Sequence, residues 1–259
     1  TLNPPSCPGV PRRAVSSFST PEGGNPSQPP PATPSKTHQF VWCFFVCFFY
    51  LKMVYCSHMQ KILILGYKGT LGQALMGEFN SVDYEVVGWD REDVDITSPD
   101  LEDKILVLAP QVIINSTGYN AVDKAENDPK EKETCFAINS EAPKRLVEIA
   151  KKMDAIFVNY STDFVFKGDK EEGYAEDDVP NPISVYGESK YLGEKNVQAV
   201  GGRYYIIRPS RIFGKSGISD QSKKSFVDMI VGKQDDAEIK VVNEEKGSPT
   251  YAPDLAKFT

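Results

Sequence analysis

From residue 61 onward, short apolar runs alternate with longer amphipathic stretches. The apolar runs read KILIL, EVVGW, QVIIN, AIFVNYS, RYYIIR and IKVV. Helices are predicted from Thr70, after Ser98, over about 132–152, around Tyr186, near 222–231 and from Pro253. Because strands buried on both faces are continuously apolar and are joined by helical crossovers, the alternation predicts a parallel sheet covered by helices, a doubly wound α/β fold.

The first 58 residues do not follow this alternation. Ten of the first 38 are proline, and such a composition buries too little apolar surface to offset the entropy of ordering. The apolar stretch that follows, Phe40–Leu51, has 12 residues, whereas a membrane-spanning helix needs about 20. We expect residues 1–58 to be a disordered or non-native leader, with a short membrane anchor as the less favoured alternative.

Residues 59–259 form the predicted domain. From about residue 209 onward, this domain is expected to contain parts of a small C-terminal substrate lobe. The helix predicted from Pro253 stops within a few residues, so we expect the lobe to be truncated.

Charge and cysteine content separate the same two regions. The chain has a net charge of -7, and residues 1–58 hold four Lys or Arg and one acid, which leaves 25 bases and 35 acids in the rest. An acidic domain argues against nucleic-acid binding, which needs clustered Lys and Arg. Only Cys135 follows Met59, so no disulfide is expected within the domain, as suits the cytoplasm, and Cys135 is expected to be buried. Both histidines precede Met59, which excludes a Ser-His-Asp triad and most zinc sites, and we identify no metal ligands.

A glycine-rich segment, GYKGTLG, joins the first predicted strand to the first predicted helix. Gly66, Gly69 and Gly72 would allow a tight turn, and the helix N-terminus offers N–H groups to a pyrophosphate. This context is typical of the Rossmann dinucleotide-binding fold. Asp90 ends the second strand and could hold the adenosine ribose hydroxyls, so NAD(H) is the preferred cofactor. Arg91 could accept a 2'-phosphate, which leaves NADP(H) open.

Tyr186 and Lys190 are four residues apart on a predicted helix, for which Asn181 offers a cap and Pro182 a first position. This spacing places both side chains on one helix face. A nearby ammonium favours phenolate and would lower the tyrosine pKa toward neutral pH, where a phenol can act as general acid or base. The same spacing is also typical of a solvated helix face without a catalytic role.

Four motifs together resemble the extended short-chain dehydrogenase/reductase family and, within it, the dTDP-4-dehydrorhamnose reductases. The motifs are GxxGxxG, NSTGYNAVDKAE, YSTDFVFKG and YGESKYLGEK, and the resemblance runs from about residue 61 to 255. It implies a catalytic trio of Thr162, Tyr186 and Lys190 that acts on a nucleotide-linked ketosugar. In this trio Tyr186 would protonate the ketone oxygen, Thr162 would hydrogen-bond the same oxygen, and Lys190 would bind the nicotinamide ribose.

The resemblance also implies a set of ligand-binding residues. The cofactor residues would be Gly66, Gly69, Thr70, Leu71, Gly72, Asp90, Asp95, Ile96, Gly118, Tyr119 and Asn120, together with Tyr186 and Lys190. On the substrate side, Asp163 and Arg211 would join Thr162. Purely structural roles are the alternative at three of these positions, because Asp95 could cap a helix, Gly118 could form a turn and Thr162 could cap a turn. Gly187 and Gly193 indicate close packing of the Tyr186 helix against a neighbour.

Two departures from the reductase pattern leave the sugar open. Arg211 stands where an aromatic residue is usual, and Phe164 replaces a tyrosine. Two other functions stay as alternatives: a non-catalytic regulatory subunit resembling the methionine adenosyltransferase β subunit, and a sugar-nucleotide epimerase or dehydratase. The expected partner is a nucleotide-sugar substrate, and the sequence leaves a homodimer open.

Overall fold

The computed structural model describes residues 59–219, 225–233, 238–239 and 247–259. The chain separates into two units, Thr1–Leu51 and Lys52–Thr259, and all of these residues lie in the second. The predicted leader, residues 1–58, and most of the predicted strand IKVV therefore lie outside the described residues. None of the helices in the described part of the chain is long and apolar enough to cross a membrane.

A five-stranded parallel sheet forms the centre of the domain, in the order β2-β1-β3-β4-β5. Its strands are β1 (Gln60–Leu65), β2 (Tyr84–Trp89), β3 (Val112–Asn115), β4 (Ile156–Tyr160) and β5 (Arg203–Ile207). The chain adds β2 on one side of β1 and β3, β4 and β5 on the other, so the sheet is doubly wound as predicted. In the register, Leu65 pairs with both Trp89 and Asn115, which aligns the carboxyl ends of the three strands. A ligand of such a sheet binds at this edge, where the winding reverses.

Helices cover both faces of the sheet. They are α1 (Thr70–Glu78), α2 (Leu101–Leu108), α3 (Val122–Asn127), α4 (Pro129–Phe136), α5 (Ala142–Lys152), α6 (Val185–Val200), α7 (Phe226–Val231) and α8 (Ala252–Phe258). A 3-10 turn spans Asp163–Val165, and the two-residue strands β6 (Ile212–Phe213) and β7 (Thr250–Tyr251) pair in parallel.

Alternate strand residues feed two separate cores. Leu63 and Phe157 belong to the core beneath α2 and α5, whereas Ile64 and Val158 belong to the core beneath α1 and α8. All four side chains are buried, which explains why the strands read as continuous apolar runs.

The long helix predicted over 132–152 begins earlier and is not uniform. It starts at Pro129, where the Asp128 side chain accepts a hydrogen bond from the Lys130 N–H at 2.9 Å. Between α4 and α5 the backbone passes through a π-helical turn, Ala137–Glu141. Such turns are frequent at functional sites, and this one is not visible in the apolar spacing of the sequence.

The helix that carries Tyr186 begins at Val185, so the predicted roles of Asn181 and Pro182 at its start are wrong. Ser184 is the cap, because its hydroxyl accepts a hydrogen bond from the Gly187 N–H at 3.1 Å. The Asn181 N–H donates instead to the Val165 carbonyl at 2.9 Å, which ties the preceding loop to the 3-10 turn.

Candidate active site

The glycine loop turns directly from β1 into α1. Gly66 has a φ of 80°, a left-handed conformation that favours glycine, and its N–H donates to the Trp89 carbonyl at 2.7 Å. A Cβ atom on Gly72 would lie 2.1 Å from the Gly66 carbonyl oxygen. Only glycine at position 72 therefore lets the first turn of α1 approach the loop this closely.

The N-terminus of α1 has the features of a pyrophosphate cradle. Gly69 is the N-cap residue and no side chain caps the helix, while the first turn contains no acidic residue. The N–H groups and the positive end of the helix dipole thus face the loop at Thr70 and Leu71 without competition from a carboxylate. These residues fit the phosphates of a dinucleotide.

Asp90 links the end of β2 to the glycine loop. Its carboxylate accepts hydrogen bonds from the Lys68 N–H at 3.1 Å and the Arg91 N–H at 2.9 Å. Lys68 also forms an ion pair with Glu92 at 3.0 Å. The position predicted for the adenosine ribose therefore carries both acidic and basic side chains.

Asp95 organises its own turn. Its carboxylate accepts hydrogen bonds from the N–H and the hydroxyl of Thr97 at 2.8 and 2.7 Å, and these bonds lower the pKa of Asp95. The N-cap position of α2 belongs to Asp100, so Asp95 does not cap that helix. Ile96 packs against the core beneath α2 and α5.

Lys190 is buried at the carboxyl edge of the sheet. Its ammonium donates to the Tyr160 carbonyl oxygen at 3.1 Å, and 8% of the residue is exposed. A Cβ on Gly118 would lie 2.9 Å from the Lys190 Nζ atom. Gly118 therefore provides the space for the ammonium, which is a different role from the turn considered as its alternative.

Tyr119 contributes its backbone to this edge, while its side chain lies in a small core. The ring packs with Ala125 and Cys135, and its hydroxyl donates to the Glu131 carboxylate at 2.7 Å. Burial first, and then Glu131, raises the pKa of Tyr119 to about 12. The neighbouring residue Asn120 is exposed.

Asn139, which was not predicted from the sequence, holds the Tyr119 backbone from the π-helical turn. Its side-chain oxygen accepts from the Tyr119 N–H at 2.9 Å, and its amide donates to the Tyr119 carbonyl at 3.0 Å and to the Ser189 hydroxyl at 3.0 Å. Asn139 thus connects the segment after β3 to the helix that carries Tyr186. The π-helical turn that places it gives no signal in the residue spacing.

Thr162 follows β4 and begins the 3-10 turn. Its hydroxyl accepts from the Phe164 N–H at 3.2 Å and donates to the Asp163 carboxylate at 3.0 Å. The Asp163 N–H donates to the Pro209 carbonyl at 3.3 Å. Thr162 therefore does cap a turn, and the same turn places Asp163 beside it.

Tyr186 lies in the first turn of α6, partly buried, with its ring edge-to-face against Phe164 at 5.6 Å between centroids. Burial raises the pKa of Tyr186 to about 12, and the Asp163 charge adds to this increase, whereas a hydrogen bond with Thr162 lowers it. The Tyr186 side chain thus lies within interaction range of Thr162 and Asp163.

The expected lowering of the phenol pKa by Lys190 is wrong for this state of the protein. The Lys190 ammonium is directed to the Tyr160 carbonyl, and burial lowers the pKa of Lys190 to about 8. Helical spacing places Tyr186 and Lys190 on one face. The Lys190 ammonium nevertheless hydrogen-bonds the Tyr160 carbonyl, because a buried donor without an acceptor costs free energy.

Gly187 and Gly193 allow α6 to pack closely on two neighbours. A Cβ on Gly187 would lie 2.3 Å from the Phe164 carbonyl oxygen, and one on Gly193 would lie 2.2 Å from the Asn139 carbonyl oxygen. The close packing predicted for both positions is confirmed, and the neighbours are the 3-10 turn and the π-helical turn.

Arg211 lies at the start of the small β6–β7 pair. It has a φ of 44°, its carbonyl accepts from the Thr250 N–H at 3.3 Å, and a Cβ on Gly247 would lie 2.4 Å from its Nε atom. Two residues earlier, the Pro209 carbonyl contacts Asp163. The segment of Arg211 is thereby tied to the Thr162 turn through the backbone.

Comparison with known proteins identifies the family. Residues 59–259 match the model of the RmlD substrate-binding domain. The chain belongs to the RmlD substrate-binding domain family. Its RmlD relatives include the dTDP-4-dehydrorhamnose reductases of Burkholderia thailandensis, 34% identical over 77% of this chain, and of Aggregatibacter actinomycetemcomitans, 33% identical over 76%. The chain spans 64% and 65% of the lengths of these two relatives.

A solved structure also shares the RmlD fold. The dTDP-4-dehydrorhamnose reductase of Bacillus anthracis, determined in complex with NADP, is 34% identical and superposes with a TM-score of 0.71. The match covers 77% of this chain and 69% of that one. The Rossmann fold and the reductase-family resemblance predicted from the motifs are therefore confirmed.

Two further buried polar pairs of this RmlD-family chain were not predicted. At the carboxyl ends of β3 and β4, the Asn115 amide donates to the Asn159 side-chain oxygen at 2.9 Å. Farther along α6, the Glu194 carboxylate is fully buried and pairs with Arg208, which follows β5. Both pairs join residues distant in sequence, so no local pattern indicates them.

Proposed function

We propose that this chain is an NAD(P)H-dependent reductase of a nucleotide-linked 4-keto-6-deoxysugar, acting as a dTDP-4-dehydrorhamnose reductase in dTDP-rhamnose biosynthesis. The observation that carries the proposal is that Thr162 and the Lys190 ammonium both lie at the carboxyl end of β4, with Tyr186 interacting with Thr162, at the sheet edge that also carries the glycine loop. The names of the curated relatives give the substrate class. Those names favour a reductase over a regulatory subunit or an epimerase.

Each member of the trio would have a separate task. The nicotinamide cofactor would supply a hydride to the ketone carbon. Tyr186 would donate its phenolic proton to the ketone oxygen, and a pKa of about 12 keeps that proton in place at neutral pH. Because the alkoxide formed by reduction is a much stronger base than phenolate, the transfer is still favourable. Thr162 would hydrogen-bond the same oxygen and orient it.

Lys190 would act at the cofactor side of the trio. Its ammonium is buried, and Gly118 leaves the space beside it free of a side chain. From this position it would donate hydrogen bonds to the nicotinamide ribose. This task requires the ammonium to stay at the sheet edge.

The glycine loop, Asp90 and the turn of Asp95 would hold the rest of the cofactor. Thr70 and Leu71 would bind the pyrophosphate at the N-terminus of α1. The Asp90 carboxylate favours NAD(H), because it accepts ribose hydroxyls and repels a 2'-phosphate. Lys68 and Arg91 flank Asp90 and would allow NADP(H) as a second cofactor.

Substrate contacts, location and assembly complete the proposal. Asp163 and Arg211 would contact the nucleotide sugar, since the turns that carry them are joined at Pro209. A cytoplasmic location is supported by Cys135, which is free and buried. Sedimentation tests the homodimer that the sequence leaves open.

The deciding experiment follows the absorbance of NADH and NADPH with a dTDP-4-keto-6-deoxyhexose, using wild type and Tyr186→Phe. Loss of the proton donor should lower kcat by about 10²- to 10⁴-fold. Tyr205→Phe, which alters an exposed phenol on β5, is the matched control and should keep wild-type activity. Full activity of Tyr186→Phe would contradict the proposed role.

The same assay separates the two alternatives. Cofactor binding without any consumption of the reduced form would favour a regulatory subunit. Tightly retained NAD with sugar conversion but no net consumption would favour an epimerase or dehydratase. Comparison of kcat/KM for NADH and NADPH would rank the two cofactors.

A further inference from the structure

A buried carboxylate, Glu194, lies on the same helix as Tyr186 and Lys190 and forms an ion pair with Arg208, which follows β5. The Arg208 guanidinium donates to both oxygens of the Glu194 carboxylate, at 2.9 and 2.7 Å. Glu194 is fully buried, and the Arg208 side chain is 19% exposed. A bidentate pair of this kind is among the stronger charge-assisted interactions in proteins. The proposed chemistry assigns neither residue a task.

Helical spacing places Glu194 next to Lys190. Tyr186, Lys190 and Glu194 follow one another at intervals of four residues in α6, so all three lie along one face of the helix. Each step is a rise of about 6 Å. A carboxylate four residues from an ammonium is the usual arrangement of a helical ion pair. Yet the Lys190 ammonium donates its hydrogen bond to the Tyr160 carbonyl. Glu194 instead forms its ion pair with Arg208.

The surroundings of Lys190 make Glu194 the decisive charge. Burial has the largest influence and lowers the pKa of Lys190, while two titratable groups act in the opposite direction: Cys135 on α4 and Glu194 on its own helix. Cys135 is buried, and burial raises its pKa, so it remains a neutral thiol at neutral pH. From β4, the Tyr160 carbonyl accepts a hydrogen bond from the ammonium. Glu194 is therefore the full negative charge that competes with the sheet edge for Lys190.

Arg208 is itself fixed from its other side. Its guanidinium lies 5.1 Å from the ring centre of Phe166, which stacks on Tyr174 at 4.3 Å. It also donates to the Glu176 carbonyl at 3.1 Å. Phe166, Tyr174 and Glu176 belong to the loop between Thr162 and α6. These contacts hold the guanidinium against Glu194.

We propose that Arg208 is a positioning residue that, by neutralising Glu194, keeps the Lys190 ammonium at the carboxyl edge of the sheet. Without Arg208, the buried carboxylate would draw the ammonium along the helix and away from Tyr160. The inference rests on the proposed function for its catalytic consequence. The charge relation among the three side chains is independent of turnover.

The test measures the pKa of Lys190 directly. Protein labelled with carbon-13 at the lysine Cε is titrated by NMR, and the Lys190 signal is assigned with Lys190→Arg. In Arg208→Met, the pKa should rise from about 8 toward the ordinary value of 10.5, since Glu194 then stabilises the ammonium. In Glu194→Gln the opposite is expected: the pKa should fall below 8, because Arg208 is left unneutralised.

Activity provides the second measurement. Displacement of the ammonium in Arg208→Met should lower kcat for the ketosugar by about tenfold to hundredfold, with the change in kcat larger than that in KM. The double variant Arg208→Met/Glu194→Met removes both charges, so the Lys190 pKa should return to near 8 and most of the activity should recover. Arg208→Lys keeps the charge but loses the bidentate geometry and the contact with the Phe166 ring, so its kcat should lie between those of wild type and Arg208→Met.

Several outcomes would overturn the inference. An unchanged Lys190 pKa in folded Arg208→Met would do so, and so would shifts of the same sign in Arg208→Met and Glu194→Gln. If Arg208→Met fails to fold, Glu194→Gln and the double variant carry the same test. Arg203→Met, which removes an exposed arginine from the start of β5, is the matched control and should change neither quantity. Absence of turnover in the wild type would refute the proposed function while leaving the titration valid.

Discussion

The two halves of the proposed site differ in the groups that hold them in place. The proposed nucleotide half, residues 66–72 with Asp90, is held mainly by backbone groups and by glycines that leave no room for a side chain. The catalytic half, at the end of β4 and on α6, depends on buried side chains with shifted pKa values. Substitutions in the first half should therefore mainly lower the free energy of unfolding, whereas substitutions in the second half should mainly lower kcat.

The largest effect is expected from Gly72→Ala. The new Cβ would lie 2.1 Å from the Gly66 oxygen and 2.6 Å from the Tyr67 Cα, and neither backbone atom can move without opening the loop. The free energy of unfolding should fall by about 3 kcal/mol or more. Urea denaturation gives this value, and quenching of NADPH fluorescence should show a matching loss of cofactor affinity.

Gly77→Ala is the control in the same helix. Nothing lies within 4 Å of its Cβ position, so alanine should stabilise the protein by up to about 1 kcal/mol. Equal changes in the free energy of unfolding for the two variants would mean that the glycine loop does not need the close approach of α1.

The next largest effect concerns the pH dependence of stability. The pKa of Lys190 is about 8 in the folded protein and 10.5 ordinarily, so between these values the unfolded chain binds more protons. Stability due to Lys190 should therefore be lowest below pH 8 and rise by on the order of 2 to 3 kcal/mol as pH increases to 10.5. Lys190→Met should remove this rise from a series of urea titrations.

Three tyrosines limit the pH range of that measurement: Tyr119, Tyr160 and Tyr186. Burial raises the pKa of each to about 12, above the ordinary 10.0, so the folded protein keeps these protons longer than the unfolded chain. Their contribution to stability is complete below pH 10 and is lost as pH rises toward 12. The difference between wild type and Lys190→Met cancels this contribution. A difference that is constant from pH 7 to 10 would refute the lowered pKa of Lys190.

Gly118→Ala should separate stability from activity. Its Cβ would lie 2.9 Å from the Lys190 Nζ atom, the far end of a flexible side chain that can move. The free energy of unfolding should change by less than about 1 kcal/mol, whereas kcat should fall by about tenfold to hundredfold as the ammonium is displaced. Paired denaturation and steady-state measurements check this. A loss of stability as large as that of Gly72→Ala would erase the distinction between the two halves.

The same division explains what the sequence could predict. Gly66, Gly69 and Gly72 are recognisable because a backbone requirement selects the residue type itself and acts within seven residues. The apolar runs predicted strands β1 to β5 because alternate residues of each buried strand enter one of the two cores. In contrast, the direction of the Lys190 ammonium depends on Tyr160 at the end of β4 and on Gly118 after β3, which the fold brings to this helix from elements distant in sequence.

Some local predictions failed for a related reason. Asn181 is a good cap by residue type, but its N–H donates to the Val165 carbonyl in the 3-10 turn. Ser184 caps the helix instead. The π-helical turn that carries Asn139 lies within a segment whose apolar spacing predicts an ordinary helix. In both cases a contact distant in sequence selects between local options of similar free energy.

The smallest effect, at Asp95, tests whether the nucleotide half extends past β2. The carboxylate is exposed and bonded to Thr97, which lowers its pKa, so its stability contribution is present above the ordinary pKa of 3.8 and is lost as pH falls below it. Asp95→Asn should cost a few tenths of a kcal/mol at pH 7 because solvent screens the charge. If Asp95 only orders its turn, NADH affinity should stay within about twofold, and Thr97→Val should give the same result. A tenfold weaker affinity for NADH in Asp95→Asn alone would instead place the carboxylate in contact with the cofactor.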